Sequence, residues 1–162
     1  MNKMKIKVGI GYDVHRLEEG YPLMIGGVKI PHAKGSVGHS DADTLIHAIM
    51  DALLGAAGMR DIGYHFPDTD QSLKGADSKI LLEKTMEIIN QKKYKVGNVD
   101  AVISLQKPKI ADYIPQMQQT LSEIMQLQPE DISIKATTTE KLGFVGEEKG
   151  IAVQAVALIY RE

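Results

Sequence analysis

Residues 5–15 read KIKVGIGYDVH, and their alternation decides the fold. Ile6, Val8, Ile10, Tyr12 and Val14 fall on one side of an extended chain, while Lys5, Lys7, Gly9, Gly11, Asp13 and His15 fall on the other. The pattern predicts a strand with one buried face, the apolar row. At the far end, Ile151 to Tyr160 is apolar on both sides: Ile151, Val153, Ala155, Ala157 and Ile159 alternate with Ala152, Val156 and Leu158. Such a strand needs cover on both faces, and in a small domain the second cover is expected from another subunit.

Between these strands, Leu23–Ile25 and Val28–Ile30 flank Gly26-Gly27 and read as a hairpin bounded by Pro22 and Pro31. Ser40 with Asp43 three residues on forms a capping box, predicting a helix from Ser40 to about Ala57 stopped by Gly58. Asp61 to Ala76 is rich in Gly, Pro and Asp and reads as a long irregular loop, of the kind more often functional than inert. A helix from Asp77 to about Lys92, a strand from Val96 to Leu105, a helix from Ile114 to Leu127 and a strand from Ile132 to Thr137 complete the chain. The class is α+β: a mixed sheet with helices, in a single domain spanning residues 1–162.

Composition narrows the chemistry. The 162 residues are 43% hydrophobic and 25% charged, ordinary for one globular domain. A formal charge of −2, with Arg16, Arg60 and Arg161 the only arginines, argues against a nucleic-acid binder. There is no cysteine, which excludes thiolate nucleophiles, disulfides and Cys-ligated metals, so a metal must sit on His and carboxylate. No segment has the roughly 20 apolar residues of a membrane span, and the N-terminus lacks the apolar run of a secretory signal. The expected location is the cytoplasm, with no membrane partner.

Asp13 and His15, two apart on a strand, deliver a carboxylate and an imidazole to one point. On the helix, His47 lies opposite the stripe of Leu45, Ile49, Ala52 and Ala56, with Asp43 and Asp51 one turn away on either side. That pattern fits a metal-binding imidazole oriented by a carboxylate, but spacing alone favours an exposed histidine with two helpful charges. Asp13, His15 and His47 together would make three N/O ligands with an open position, the pattern of catalytic zinc. His39, beside the helix start, suits an anion. DIGYHFPDTD, Asp61 to Asp70, concentrates acceptors for polyol hydroxyls or uses them for turn geometry. Gln106-Lys107-Pro108-Lys109 ends a strand with two cations, and KATTTEKLGF, Lys135 to Phe144, offers hydroxyls and backbone N–H groups to phosphate and Glu140 to a hard cation. Gly9-Ile10-Gly11 is no dinucleotide fingerprint, because the third glycine and its helix are missing. His32 and His65 receive no role.

GIGYDVH, HSDADTLIHAIMDALLGAAG, DIGYHFPDTD, GADS, NVDAVI, KATTTEKLGF and KGIAVQAVALI, in that order from Ile6 to Ile159, resemble the 2-C-methyl-D-erythritol 2,4-cyclodiphosphate synthases of the non-mevalonate isoprenoid pathway. The resemblance implies a bacterial cytoplasmic lyase in which 4-diphosphocytidyl-2-C-methyl-D-erythritol 2-phosphate closes on itself: its 2-phosphate attacks the β-phosphorus and expels CMP. It implies a divalent ion, normally Zn²⁺, on Asp13, His15 and His47, and a second, Mg²⁺ or Mn²⁺, helped by Glu140. His39 and Thr138 would support the transition state.

The same resemblance implies where the substrate lies. The methylerythritol phosphate portion would contact Asp61, Ile62, Gly63, Phe66, Pro67, Asp68, Thr69 and Asp70. The cytidine diphosphate portion would take Leu105, Gln106, Lys107, Pro108, Lys109, Ile110 and Ala111, with Thr137, Thr138, Thr139 and Glu140. Val14, His39, Ser40, Phe144 and Glu147 complete the expected substrate contacts. The two groups would come from adjacent subunits of a homotrimer whose sheets face its centre, with helices packed on the other face. Where many members have an arginine facing the trimer's central cavity, proposed to bind isoprenoid diphosphates, this chain has Glu147, and the charge reversal argues against such a site. The rival readings are a zinc-dependent phosphohydrolase of a nucleotide-linked polyol and a silent trimeric binding protein of similar fold.

Overall fold

A computed structural model describes residues 4–162. Its core is a five-stranded mixed sheet in the order β4-β1-β7-β5-β6, made of β1 (Lys5–Glu19), β4 (Lys34–Val37), β5 (Lys95–Ser104), β6 (Ile132–Thr137) and β7 (Gly150–Arg161). β1 and β7 pair antiparallel from Lys5↔Arg161 to Arg16↔Gly150, the longest ladder in the molecule. β5 runs antiparallel to β7 and parallel to β6; helix α4 (Ile114–Met125) makes the crossover a parallel pair requires. The predicted hairpin is present as β2 (Leu23–Ile25) and β3 (Val28–Ile30).

Helix α1 (Thr44–Ala57) lies on β1 and β7 and is nearly all buried. Helix α3 (Ser78–Gln91) packs behind it. The contact between α1 and β1 is direct backbone packing: a Cβ built on Gly9 would stand 2.0 Å from the Ala52 carbonyl oxygen, and one on Gly11 1.8 Å from that of Ala48. No side chain fits between strand and helix at these two positions.

That packing inverts the face expected for the first strand. The row of Lys7, Gly9, Gly11, Asp13 and His15 turns toward α1, whereas Ile6, Val8 and Ile10 are 58%, 63% and 71% exposed, with Tyr12 and Val14 beside them. A helix backbone approaches closest where side chains are smallest, so the glycine row won the interior over the apolar row. In β7, Ile151, Val153, Ala155, Ala157 and Ile159 are buried toward the helices, but Gln154 and Val156 are exposed on the outer face. Helices thus cover one face of the sheet, and the other presents an apolar row to solvent on the single chain.

Several boundaries also shift. α1 begins at Thr44, not at Ser40, because Asp43 is the N-cap and accepts from Ile46 N. Gly58 ends the helix with φ 72°, the left-handed conformation the sequence predicted. β1 continues to Glu19, where it pairs with the unpredicted β4 from Arg16↔Val37 to Glu19↔Lys34. The Asp61–Ala76 stretch contains the short helix α2 (Ile62–His65) and a 3₁₀ turn at Gln71–Leu73.

Filling the glycine contact should be costly. Gly11→Val is expected to destabilise by about 1–3 kcal/mol or more, because a backbone carbonyl cannot step aside as a side chain can. Thermal unfolding of the variant should show a midpoint lower by about 2–4 °C for each kcal/mol; an unchanged midpoint would contradict the close approach.

Candidate metal centre and substrate clefts

β1 brings Asp13 and His15 to the sheet face beneath α1, and the first turn of α1 carries His47 down onto them. His47 is 7% exposed, so it is not the exposed helix histidine. Asp13 Oδ2 lies 2.9 Å from His15 Nε2 and 3.3 Å from His47 Nδ1, and the two ring nitrogens are 3.4 Å apart. One ligand atom from each residue therefore falls in a cluster small enough to hold a metal ion.

Hydrogen bonds behind the rings assign their tautomers. His15 Nδ1 donates to the Val37 carbonyl at 2.9 Å, which leaves an Nε2 lone pair facing Asp13. The Ser78 hydroxyl donates to Asp41 Oδ1, and the other oxygen of Asp41 accepts from Ser78 N at 3.0 Å. With its proton committed, Ser78 Oγ accepts from His47 Nε2 at 2.9 Å, and Ser40 Oγ stands 3.2 Å from the same nitrogen. The His47 Nδ1 lone pair then also faces Asp13. Asp13 Oδ2 is buried without a hydrogen-bond donor in this arrangement. Two lone pairs and a carboxylate oxygen aimed at one point are electron-rich and fit a divalent cation. Burial opposes charge on Asp13, yet His15 and His47 hold its carboxyl below the ordinary value. Asp13 in turn raises the His15 imidazole against its burial.

The two aspartates read as partners of His47 act elsewhere. Asp43, fully buried, accepts from Gly26 N at 2.9 Å, Gly27 N at 2.7 Å and Ile46 N at 3.0 Å, tying the hairpin to the start of α1. Burial pushes its carboxyl up, against those three bonds. Asp51 Oδ1 accepts from Ile62 N at 2.8 Å, and burial raises its carboxyl too. It anchors α2 rather than the imidazole.

The centre opens into a cleft of about 170 Å³ lined by Asp13, His15, His39, Ser40, His47, Ile62, Gly63, Phe66 and Asp68, together with Met50, Leu73 and Leu81. His39 Nε2 donates to the Asp70 carbonyl at 3.2 Å, joining the two margins. Asp61 caps α2 through Tyr64 N, and Asp70 is turned toward Ser72; both carboxylates serve the loop's own backbone. Asp41, Ser78, Met50, Leu73 and Leu81 were not among the expected site residues. For Asp41 and Ser78 a signal was available in SDAD and ADS, where polar residues flank two helix starts.

The second expected group assembles apart from the first. Leu105, Gln106, Pro108, Lys109, Ile110, Ala111, Thr137 and Thr138 line a hollow of about 180 Å³ at the ends of β5 and β6. It shares no residue with the metal cleft, from whose strand β1 it is separated by β7 in the sheet order. Lys107 reaches toward Glu148 at 4.0 Å instead of lining it. Thr139 Oγ1 donates to the Leu142 carbonyl at 2.7 Å, and Glu140 has a left-handed backbone, φ 52°. Val14 and Phe144 line a third hollow with Lys149, whose ammonium pairs with Glu147 at 2.5 Å. Within one chain, Thr138 and Glu140 are not brought to Asp13.

Two aspartate-dependent effects should separate. Ser78→Ala removes the acceptor that fixes His47 and is expected to weaken metal affinity about 10- to 100-fold. Asp51→Ala should leave affinity near wild type while loosening the Ile62–Phe66 wall. Competition with a chromogenic chelator measures both, and equal losses would contradict the separate assignments.

Known proteins share this sequence pattern and fold. The YgbB family model matches residues 6–160. The 2-C-methyl-D-erythritol 2,4-cyclodiphosphate synthase of Bacteroides fragilis is 61% identical over 158 residues, 98% of this chain and 99% of the relative. Among solved structures, the bifunctional IspDF of Campylobacter jejuni superposes with a TM-score of 0.95 at 39% identity over 99% of this chain, which spans 43% of that longer protein. The IspF of Plasmodium falciparum in its CDP complex gives a TM-score of 0.85 at 36% identity, with 97% of each chain covered. With nearly its whole length matched in sequence and in fold, the chain belongs to the YgbB family.

Proposed function

We propose that this chain converts 4-diphosphocytidyl-2-C-methyl-D-erythritol 2-phosphate to 2-C-methyl-D-erythritol 2,4-cyclodiphosphate and CMP, as a cytoplasmic enzyme. The observation that carries the reading is the convergence of Asp13 Oδ2, His15 Nε2 and His47 Nδ1 on one point in a chain of this family. These residues would hold Zn²⁺, and Glu140 would help to hold Mg²⁺ or Mn²⁺ on the diphosphate. When bound, the ions supply charge neutralisation between two phosphates that must approach each other, and they stabilise the departing CMP.

The chain's own residues do the positioning. The attack is intramolecular, so the protein needs no nucleophile of its own; it must fold the substrate until the 2-phosphate faces the β-phosphorus. Ile62, Gly63 and Phe66 would hold the methylerythritol portion against the metal cleft, with Asp68 near its hydroxyls. Residues Leu105–Ala111 with Thr137 would hold the cytidine diphosphate portion; that the ligand carries cytidine diphosphate is supported by the CDP complex of the P. falciparum relative. His39 donates toward phosphate oxygen, and the Thr138 hydroxyl, which accepts from Glu140 N at 3.3 Å, turns its proton to the charge that grows on the bridging oxygens.

We further propose a homotrimer with active sites between subunits. The reading is supported by two features of the single chain: a substrate site split into hollows that share no residue, and an exposed apolar sheet face. An apolar row of this length is costly in water and marks a contact surface.

Three measurements test these proposals. In ¹⁸O-labelled water the expected product is unlabelled cyclic diphosphate plus CMP; label in the product would replace cyclisation by hydrolysis. Thr138→Ala should lower turnover about 10²- to 10³-fold with metal content retained, whereas His47→Ala should lose both metal and turnover. Ile10→Asp places a charge in the exposed apolar row and should dissociate the trimer in sedimentation velocity; a wild-type mass for the variant would rule out that face as the interface.

A further inference from the structure

At the other end of β1, about 20 Å along the strand from Asp13, Lys5, Lys7, Arg60, Lys92 and Arg161 surround a hollow of about 480 Å³. No Asp or Glu lines it, and among the described residues none of these five cations is in an ion pair. The concentration is unusual in a chain with 19 basic residues and a formal charge of −2. Like charges gathered without counter-charge repel, and a bound anion removes that repulsion.

The cations are also positioned. The buried Tyr94 ring has Lys7 Nζ at 5.4 Å and the Arg161 guanidinium at 4.7 Å, so one aromatic floor orients two positive groups. The Arg60 guanidinium stacks on Tyr64 at 4.6 Å, and its backbone is left-handed, φ 67°, which a non-glycine residue adopts only at a cost. The C-terminus of α1 beside Lys7 accounts for one cation, and four remain. The two guanidinium forks suit phosphate oxygens, and the volume lies in the range of small-molecule sites.

We propose that this hollow binds a small molecule carrying two or more adjacent phosphate groups, at a site separate from the Asp13–His15–His47 cleft. The four remaining cations outnumber what one phosphate can engage and match a diphosphate or longer chain. The ligand would also touch the back of the substrate cleft. Arg60 and Tyr64 face the basic hollow, whereas Ile62, Gly63 and Phe66 of the same segment line the metal cleft.

Inorganic diphosphate is the probe, followed by calorimetry and by hydrogen exchange of the intact protein. Diphosphate should bind at least tenfold more tightly than orthophosphate and protect both residues 59–66 and residues 92–95 from exchange. Asp13→Asn should keep that affinity within twofold, and Lys7→Met with Arg161→Met should lose at least tenfold. Should that pair impair folding, Lys5→Gln with Arg60→Gln, both exposed, should still lose at least threefold. Absence of diphosphate binding would overturn the proposal. So would orthophosphate binding equally well, or protection around Asp13 and His47 without protection at residues 92–95.

Discussion

The contact on which the rest of the molecule depends is backbone against backbone: α1 resting on Gly9 and Gly11 of β1. A side chain at either glycine would hold the helix off the sheet, and the distances from His47 to Asp13 and His15 would lengthen. Asp13 and His15 are fixed by the β1–β7 ladder, whereas His47 rides on α1. The 3.3 Å separation of Asp13 Oδ2 from His47 Nδ1 is thus set two to four residues away, by the absence of side chains at Gly9 and Gly11. Asp43 sets the helix position along the strand, because it binds the first turn of α1 and the β2–β3 hairpin at once.

Once the helix is seated, proton placement does the rest. Val37 takes the outer proton of His15, and the Asp41–Ser78 pair determines that His47 donates from Nε2. Each imidazole is left with its unprotonated nitrogen toward Asp13. The groups that set this polarity come from β4, from the loop before α1 and from the start of α3, so the chemistry of three ligands draws on most of the sheet-and-helix layer. The site is preorganised in the sense that matters for a cation: its donors need no rotation to present lone pairs.

The hairpin, the three long helices and strands β5 to β7 were legible in the sequence because each follows from periodicity, caps or turn residues within its own segment. The metal ligands were legible as residue types and as a family pattern. What eluded the sequence was relational. Alternation in residues 5–15 separates two faces but does not say which one a helix will choose, and the glycines reversed the choice that hydrophobicity suggests. Helical spacing puts Asp43 and Asp51 within a turn of His47, but both carboxylates found backbone N–H groups in other segments. Asp41 and Ser78 are far apart in sequence, and their joint hold on His47 exists only after α1 and α3 have packed.

The inverted face also joins two features that seem unrelated. Because the glycine row takes the helix, the apolar row of Ile6, Val8 and Ile10 is left outward, a surface of the kind that marks interaction sites. Asp13 and His15 sit on β1, whereas the Thr137–Thr138 hollow lies across β7, at the ends of β5 and β6, so the two hollows of one chain share no residue. In the trimeric reading, burying the apolar face would also bring one chain's metal cleft beside another's Thr137–Thr138 hollow. The two glycines that admit α1 would then contribute twice, once by lowering His47 onto Asp13 and once by leaving outward the surface through which the second half of the site arrives.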